Sequence, residues 1–158
     1  ENLPFSLTGK TILDIGCNQG GMLHAFSSEI KYGVGIDYDT KMINAANKIK
    51  AFKSAQNLDF YVFNLETEPL DYINDMLPSQ KVDVVLLLSI CMWVKNWKEV
   101  IDFCANVGKQ TIFESNGKPE VQDEQIEYLK KVFDSVELIN ERSEDDPSQK
   151  MRKLLVCG

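Results

Sequence analysis

The most constraining stretch is Thr11-Ile-Leu-Asp-Ile-Gly-Cys-Asn-Gln-Gly-Gly21. An apolar run, Ile12 to Ile15, breaks into a turn that holds Gly16, Asn18, Gly20 and Gly21, and Met22, Leu23, Phe26 and Ile30 then recur at helical spacing. Strand, Gly-rich turn and helix in that order are the geometry of a nucleotide pocket, because the tight turn brings backbone N–H groups and a helix N-terminus up to a ligand. Glycine is needed where φ is positive or where a Cβ would touch the ligand. Asn18 is among the few other residues that tolerate the left-handed region.

Which nucleotide is decided by the residue before the turn. A dinucleotide fingerprint reads G-x-G-x-x-G and sets a pyrophosphate on the helix. Here the pattern is Asp14-x-Gly16-x-Asn18-x-Gly20, with a carboxylate two residues ahead of the first glycine. That charge would repel a pyrophosphate and suit a cationic ligand. A second carboxylate, Asp37, lies 21 residues after Gly16 at the end of the next apolar run, a distance at which it can accept hydrogen bonds from both ribose hydroxyls. A helix N-terminal or turn Asp is the structural alternative at Asp37, and a turn-stabilising Asp at Asp14.

Apolar runs alternate with helix-period runs through Gly117, the pattern of a parallel α/β sheet. Strands are expected at Thr11–Ile15, Gly33–Asp37, Leu58–Phe63, Val82–Leu88 and Gln110–Glu114. Helices are expected over Gly20–Ile30, after an Asp39 N-cap with Met42, Ala45, Ala46, Ile49 and Phe52 inward, near Glu68–Leu77, over Trp97–Ala105 and over Glu120–Phe133. The ending departs from this alternation: Ser135–Asn140 and Arg152–Cys157 are joined by a polar loop, Glu141–Lys150, as an antiparallel hairpin would be. A chain of 158 residues makes one domain, long enough to bury ~70% of its unfolded surface. It opens on Glu1-Asn-Leu-Pro-Phe without a Met or a signal-peptide pattern, which raises the expectation of a processed product or an excised domain.

The Asp14–Gly20 pattern resembles motif I of the class I S-adenosylmethionine-dependent methyltransferases, D/E-x-G-x-G-x-G, with Asn18 in place of the middle glycine. The terminal hairpin is similar to that family's ending too. The resemblance therefore covers nearly the whole chain and implies a doubly wound, seven-stranded, mostly parallel sheet in the order 3-2-1-4-5-7-6. Strand seven would be antiparallel, with helices on both faces.

The resemblance also implies S-adenosyl-L-methionine as cofactor and S-adenosyl-L-homocysteine as product. Asp14 would orient the methionine amino end, and Gly16, Cys17, Asn18 and Gly20 would line the turn, Cys17 mainly through its backbone. Asn64 stands where the family often has an Asp bonding the adenine amino group, followed by Leu65, whose backbone would meet a ring nitrogen. Tyr38 and Met42 are candidates to pack on the adenosine, with core packing the alternative for Met42. Ser89 is the expected contact to the methionine portion. Trp93 either faces the sulfonium or acceptor or caps the sheet.

The sulfonium methyl is already activated, so such an enzyme mainly aligns an in-line attack and excludes water. Where a base is needed, Glu114, ending strand five, and the nearby Asn116 lie at the carboxyl edge, and His24 is a further candidate that could equally be structural. Cys91 is a possible nucleophile, or simply a small buried residue. Four scattered cysteines with one His give no metal-ligand pattern and fit reduced thiols in the cytoplasm. No apolar run approaches the ~18 residues of a membrane span.

A net charge of −7 argues against a broad phosphate-binding surface, which lowers RNA as a substrate without excluding it. The Gly-Cys-Asn turn and the leading Leu-Pro-Phe…Gly-Lys-Thr are similar to small-molecule and wobble-uridine modifying members, and Trp93-Val94 to RNA-cap methylating members. The favoured acceptor is an oxygen or nitrogen on a small metabolite, sugar or lipid-linked molecule. The alternatives are a non-catalytic cofactor-binding module of a larger protein, an RNA-modifying enzyme, and a nicotinamide-dependent oxidoreductase.

Overall fold

The computed structural model describes residues 3–142 and 151–158. Seven strands form one sheet: β1 (Thr11–Ile15), β2 (Tyr32–Asp37), β3 (Leu58–Val62), β4 (Val82–Leu88), β5 (Gly108–Glu114), β6 (Val136–Asn140) and β7 (Leu154–Cys157). Their order is β3-β2-β1-β4-β5-β7-β6, as the resemblance implies. The pairs among β1 to β5 are parallel, whereas β7 runs antiparallel to both β5 and β6. The helices are α1 (Gly21–Phe26), α2 (Thr40–Lys53), α3 (Trp97–Val107) and α4 (Pro119–Val132).

Strand side chains alternate between two apolar layers, as they must in a sheet covered on both faces. Leu13, Ile15, Val85, Leu87 and Phe113 enter one cluster with α3, while Ile12, Val84, Leu86 and Ile112 enter the other with Leu23 of α1 and Ala46 of α2. The α2 N-terminus follows the sequence expectation: Asp39 accepts from the Lys41 N–H at 2.7 Å. Ser54 stops the helix in the left-handed region, φ 54°.

Several element bounds differ from expectation. The helix expected over Gly20–Ile30 ends at Phe26, and Glu29 and Ile30 both return their N–H groups to the Phe26 carbonyl in a closing turn. Met22 faces water instead of the core, and Phe52 at the end of α2 is 90% exposed while Ile43 takes the buried position. The segment expected as a helix over Glu68–Leu77 is a 3-10 helix, Leu70–Met76, opened by Pro69 and closed by a Leu77 N–H to Asn74 carbonyl bond. A second 3-10 turn, Cys91–Trp93, follows β4. Of the polar connection expected over Glu141–Lys150, residues 143–150 lie outside the described residues.

Because β1 lies between β2 and β4, the crossovers leave it in opposite directions and open a crevice at the carboxyl ends of these strands.

Candidate functional site

That crevice is a cleft of about 580 Å³ lined by Gly16, Ile36, Asp37, Tyr38, Phe63, Asn64, Leu65, Glu66, Ile90, Trp93 and Val94. The Gly-rich turn closes its base. Gly16 takes φ 75° and Asn18 takes φ 52°, so Asn18 occupies the left-handed conformation that its residue type allows. The Gly16 and Cys17 N–H groups both return to the Ile36 carbonyl, at 2.8 and 3.0 Å, which pins the turn against the end of β2. Asp37 completes the clamp. One carboxylate oxygen accepts from the Asn18 N–H and the other from the Asp39 N–H, each at 2.9 Å. Each oxygen keeps a further lone pair, so the turn-stabilising and ribose-binding roles are compatible.

Asp14 is buried, 3% exposed, and its carboxyl receives no hydrogen bond from another described residue. Desolvation first, and then the neighbouring Asp37 charge, push its pKa from 3.8 up to about 7. A buried carboxylate without a donor, beside a second carboxylate, is a site for a cation. Across the cleft, Phe63 and Leu65 supply apolar wall. The Leu65 N–H has no partner among the described residues, while its carbonyl accepts from the Asn96 amide at 2.7 Å. The loops after β3 and after β4 are joined a second time, where Glu66 accepts from the Lys95 N–H at 2.9 Å.

Some sequence candidates stand elsewhere. The Asn64 side-chain oxygen accepts from the Glu66 N–H, closing its own turn, so only its amide N–H₂ is without a partner among the described residues. Met42 lies off the cleft, with Gln19 Nε2 at 3.7 Å from its sulfur. Gly20 starts α1 at φ 73°, and its missing Cβ makes room for the Phe60 ring, which would lie 2.4 Å from such an atom. This glycine has a packing reason. The Cys17 thiol packs inward against Gly35, and burial pushes its pKa up.

The catalytic candidates are also accounted for structurally. His24 is buried between α1 and α2, with Nε2 3.1 Å from the Ala46 carbonyl and its ring on Phe60 at 5.0 Å. Its Nδ1 is buried without a partner, and desolvation lowers the pKa. The ring is therefore the neutral Nε2–H tautomer, holding two helices together. Cys91 is buried, and desolvation pushes its thiol up to about 12, which rules out a thiolate near neutral pH.

Glu114 is paired with Arg152 at 3.1 Å, both largely buried. The Ser89 hydroxyl donates to Glu114 and accepts from Arg152. Ser89 itself takes φ 58°, which carries its side chain into this network and leaves Ile90 to face the cleft. Asn116, fully buried, donates its amide to the Ser89 carbonyl and accepts from the Met92 N–H at 3.0 Å. Trp93 is 66% exposed and lines the cleft, so it does not cap the sheet.

Sequence reasoning expected the segment after strand four, which carries Ile90 and Val94, beside the ligand, and missed Ile36, Phe63 and Glu66. Ile36 and Phe63 directly precede the named Asp37 and Asn64, so the strand ends carried that signal. Nothing in the sequence marked Ser89 as the residue that would turn away.

A glycine turn held by one carboxylate and backed by another, at the switch point of a 3-2-1-4-5-7-6 sheet, is the ligand crevice of a Rossmann-like fold. The family model described as a methyltransferase domain matches residues 13–110, and the chain belongs to that family. The protein 235L of Invertebrate iridescent virus 6, named as a methyltransferase, is 30% identical over 104 residues, 65% of this chain and 34% of that protein. The ubiquinone biosynthesis O-methyltransferase of Idiomarina loihiensis is 28% identical over 109 residues, 69% of this chain and 42% of that protein. The chain thus spans less than half the length of these two relatives. The N-terminal domain of EvdMO1, crystallised with S-adenosylhomocysteine bound, shares the fold: TM-score 0.74 over 94% of this chain and 74% of that one, at 14% identity.

Proposed function

We propose that the cleft binds S-adenosyl-L-methionine and that this chain, as a single domain over residues 1–158, directs methyl transfer to an oxygen or nitrogen of a small acceptor. A metabolite, sugar or lipid-linked molecule fits that description. The cofactor class follows from the family to which the chain belongs. The observation that carries the reading is Asp37 lining the cleft beside the Gly16 turn, with Asp14 buried two residues before that glycine and Leu65 in the facing apolar wall.

The cofactor supplies an activated methyl group on a sulfonium. The protein's own residues do the rest. Asp37 accepts from the ribose hydroxyls, Asp14 receives the ammonium, and the Leu65 N–H and Asn64 amide meet the adenine edge. Ile36, Phe63 and Leu65 remove the base from water. No helix among the described residues is long and apolar enough to cross a membrane. All four cysteines are free and buried, which agrees with action in the cytoplasm.

The test is calorimetric titration with S-adenosylhomocysteine, with NAD as control. We expect binding of the first alone, weakened by ~1–3 kcal/mol in Asp37→Ala, the loss of a charge-assisted hydrogen bond at a partly buried site. NAD binding without the homocysteine form would refute the reading. A second reading is favoured by the short span of the relatives covered: a cofactor-binding module whose acceptor site, small-molecule or RNA, is completed by segments outside residues 1–158.

A further inference from the structure

Beneath the carboxyl ends of β4 and β5 one set of polar side chains is buried and engaged with one another. Ser115 donates to Gln122 at 2.6 Å, and Gln122 donates to the Gly117 carbonyl at 2.8 Å. Gln125 both accepts from the Asn116 N–H and donates to its carbonyl, each at 3.1 Å. Ser89 lies between Glu114 and Arg152, and Asn116 holds the Met92 N–H. The apolar side chains stand in water instead: Met92 is 40% exposed, Val121 40% and Trp93 66%.

Met92 and Val121 flank Gly117, and Trp93 is the next residue along the Cys91–Trp93 turn. A Cβ added at Gly117 would lie 3.2 Å from Val121 Cγ1 and 3.6 Å from Met92 Cβ, so the glycine keeps the floor between them flat. Trp93 continues the surface into the cleft. Exposed apolar groups of this size, joined to a cleft, mark a binding surface. The buried amide network beneath fixes their position, because moving Met92 or Gly117 would break the Asn116–Met92 or Gln122–Gly117 bond in a buried site.

We propose that Met92, Trp93 and Val121, floored by Gly117, form the acceptor subsite, and that its acceptor is a flat aromatic ring. The inference rests on the methyl-transfer reading of the cleft. A stacked ring gains from the apolar area that these three side chains offer, whereas a polyhydroxylated sugar laid on them would lose hydration that they cannot restore. Asn116 acts as a positioning residue through the Met92 backbone.

The experiment titrates the whole chain, saturated with S-adenosylhomocysteine, with 2-naphthol and separately with methyl glucoside. It is repeated for Met92→Ser/Val121→Ser, two exposed positions outside the cofactor cleft. Saturable binding of one 2-naphthol per chain is expected, weakened about tenfold in the double variant, with S-adenosylhomocysteine affinity unchanged and no methyl glucoside binding. Non-saturable 2-naphthol binding, or equal affinity in the variant, would overturn the ring subsite. Methyl glucoside binding that falls in the variant would overturn the acceptor class. Failure of S-adenosylhomocysteine to bind, with the 2-naphthol result intact, would instead remove the cofactor reading and with it the acceptor role of the platform.

Discussion

Replacing Asp14 by Asn should make the protein more stable and less able to bind its cofactor. Asp14 is 3% exposed, and burial together with Asp37 raises its pKa from 3.8 to about 7. An acid whose folded pKa lies above its unfolded value holds its proton longer in the folded state. Stability therefore falls as pH rises from about 4 to about 7, and the whole penalty is present above that window. Three pKa units correspond to about 4 kcal/mol, an upper bound for what Asp14→Asn can recover at pH 8, since the new amide brings its own desolvation cost. Urea unfolding of both chains at pH 5, 6, 7 and 8 reads the difference directly, because every other group titrates in both. The gain should be smallest at pH 5, roughly a third of its full size, and largest at pH 8. S-adenosylhomocysteine affinity should fall in the variant. In the native chain, binding at pH 6 should release close to one proton as the ligand ammonium ionises Asp14, and few at pH 8, measured by calorimetry in buffers of different ionisation enthalpy. A stability difference independent of pH would refute the reasoning.

Three further substitutions separate structure from chemistry. Gly16→Ala puts a Cβ 2.1 Å from Ile90 Cδ1 at φ 75°; we expect S-adenosylhomocysteine binding to be lost, with ~1–2 kcal/mol of stability lost to left-handed strain. Adding Ile90→Ala should relieve the clash and leave the strain, so equal affinity in the single and native chains would refute the turn's placement. His24→Ala should cost on the order of 2 kcal/mol and leave cofactor affinity unchanged. Because its folded pKa is lowered from 6.5, the native His24 contribution is complete above that pH and declines below it, which pH-dependent unfolding would show. Glu114→Gln removes the carboxylate that pairs with Arg152 and accepts from Ser89, so a loss of about 1–3 kcal/mol is expected in thermal or urea unfolding, and a stability equal to the native chain would mean the ion pair is dispensable.

The fold was legible because each level of the sequence agreed. Apolar runs of four to seven residues gave strands buried on both faces, and the break in alternation after Phe133 marked the antiparallel hairpin. The α2 cap was legible from Asp39 alone. Helix lengths were less so: Met22 and Phe52 fit the helical period, yet Met22 is exposed beside the turn and Phe52 is exposed in the last turn of α2. The Gly-rich turn at the base of the cleft was readable because it depends on backbone conformation, which Gly and Asn announce. The β4–β5 side was not. Ser89, Glu114 and Asn116 have the residue types of catalytic groups, and only three-dimensional packing shows that they satisfy each other.

That packing has a consequence for where specificity resides. A turn at positive φ, such as Ser89, costs conformational energy that a looser loop would avoid. Here it delivers a hydroxyl to the Glu114–Arg152 pair and aims Ile90 at the Gly16 turn, so one residue joins the cofactor cleft to the network beneath Met92 and Trp93. The two halves of the cleft are therefore mechanically continuous while chemically distinct: backbone and carboxylate on the β1–β2 side, apolar surface on the β4–β5 side. Few side chains are needed for the methyl transfer itself. Variation at Met92, Trp93 and Val121 can then change the acceptor without disturbing the cofactor, provided that Ser89, Asn116 and Gln125 continue to hold the platform in place.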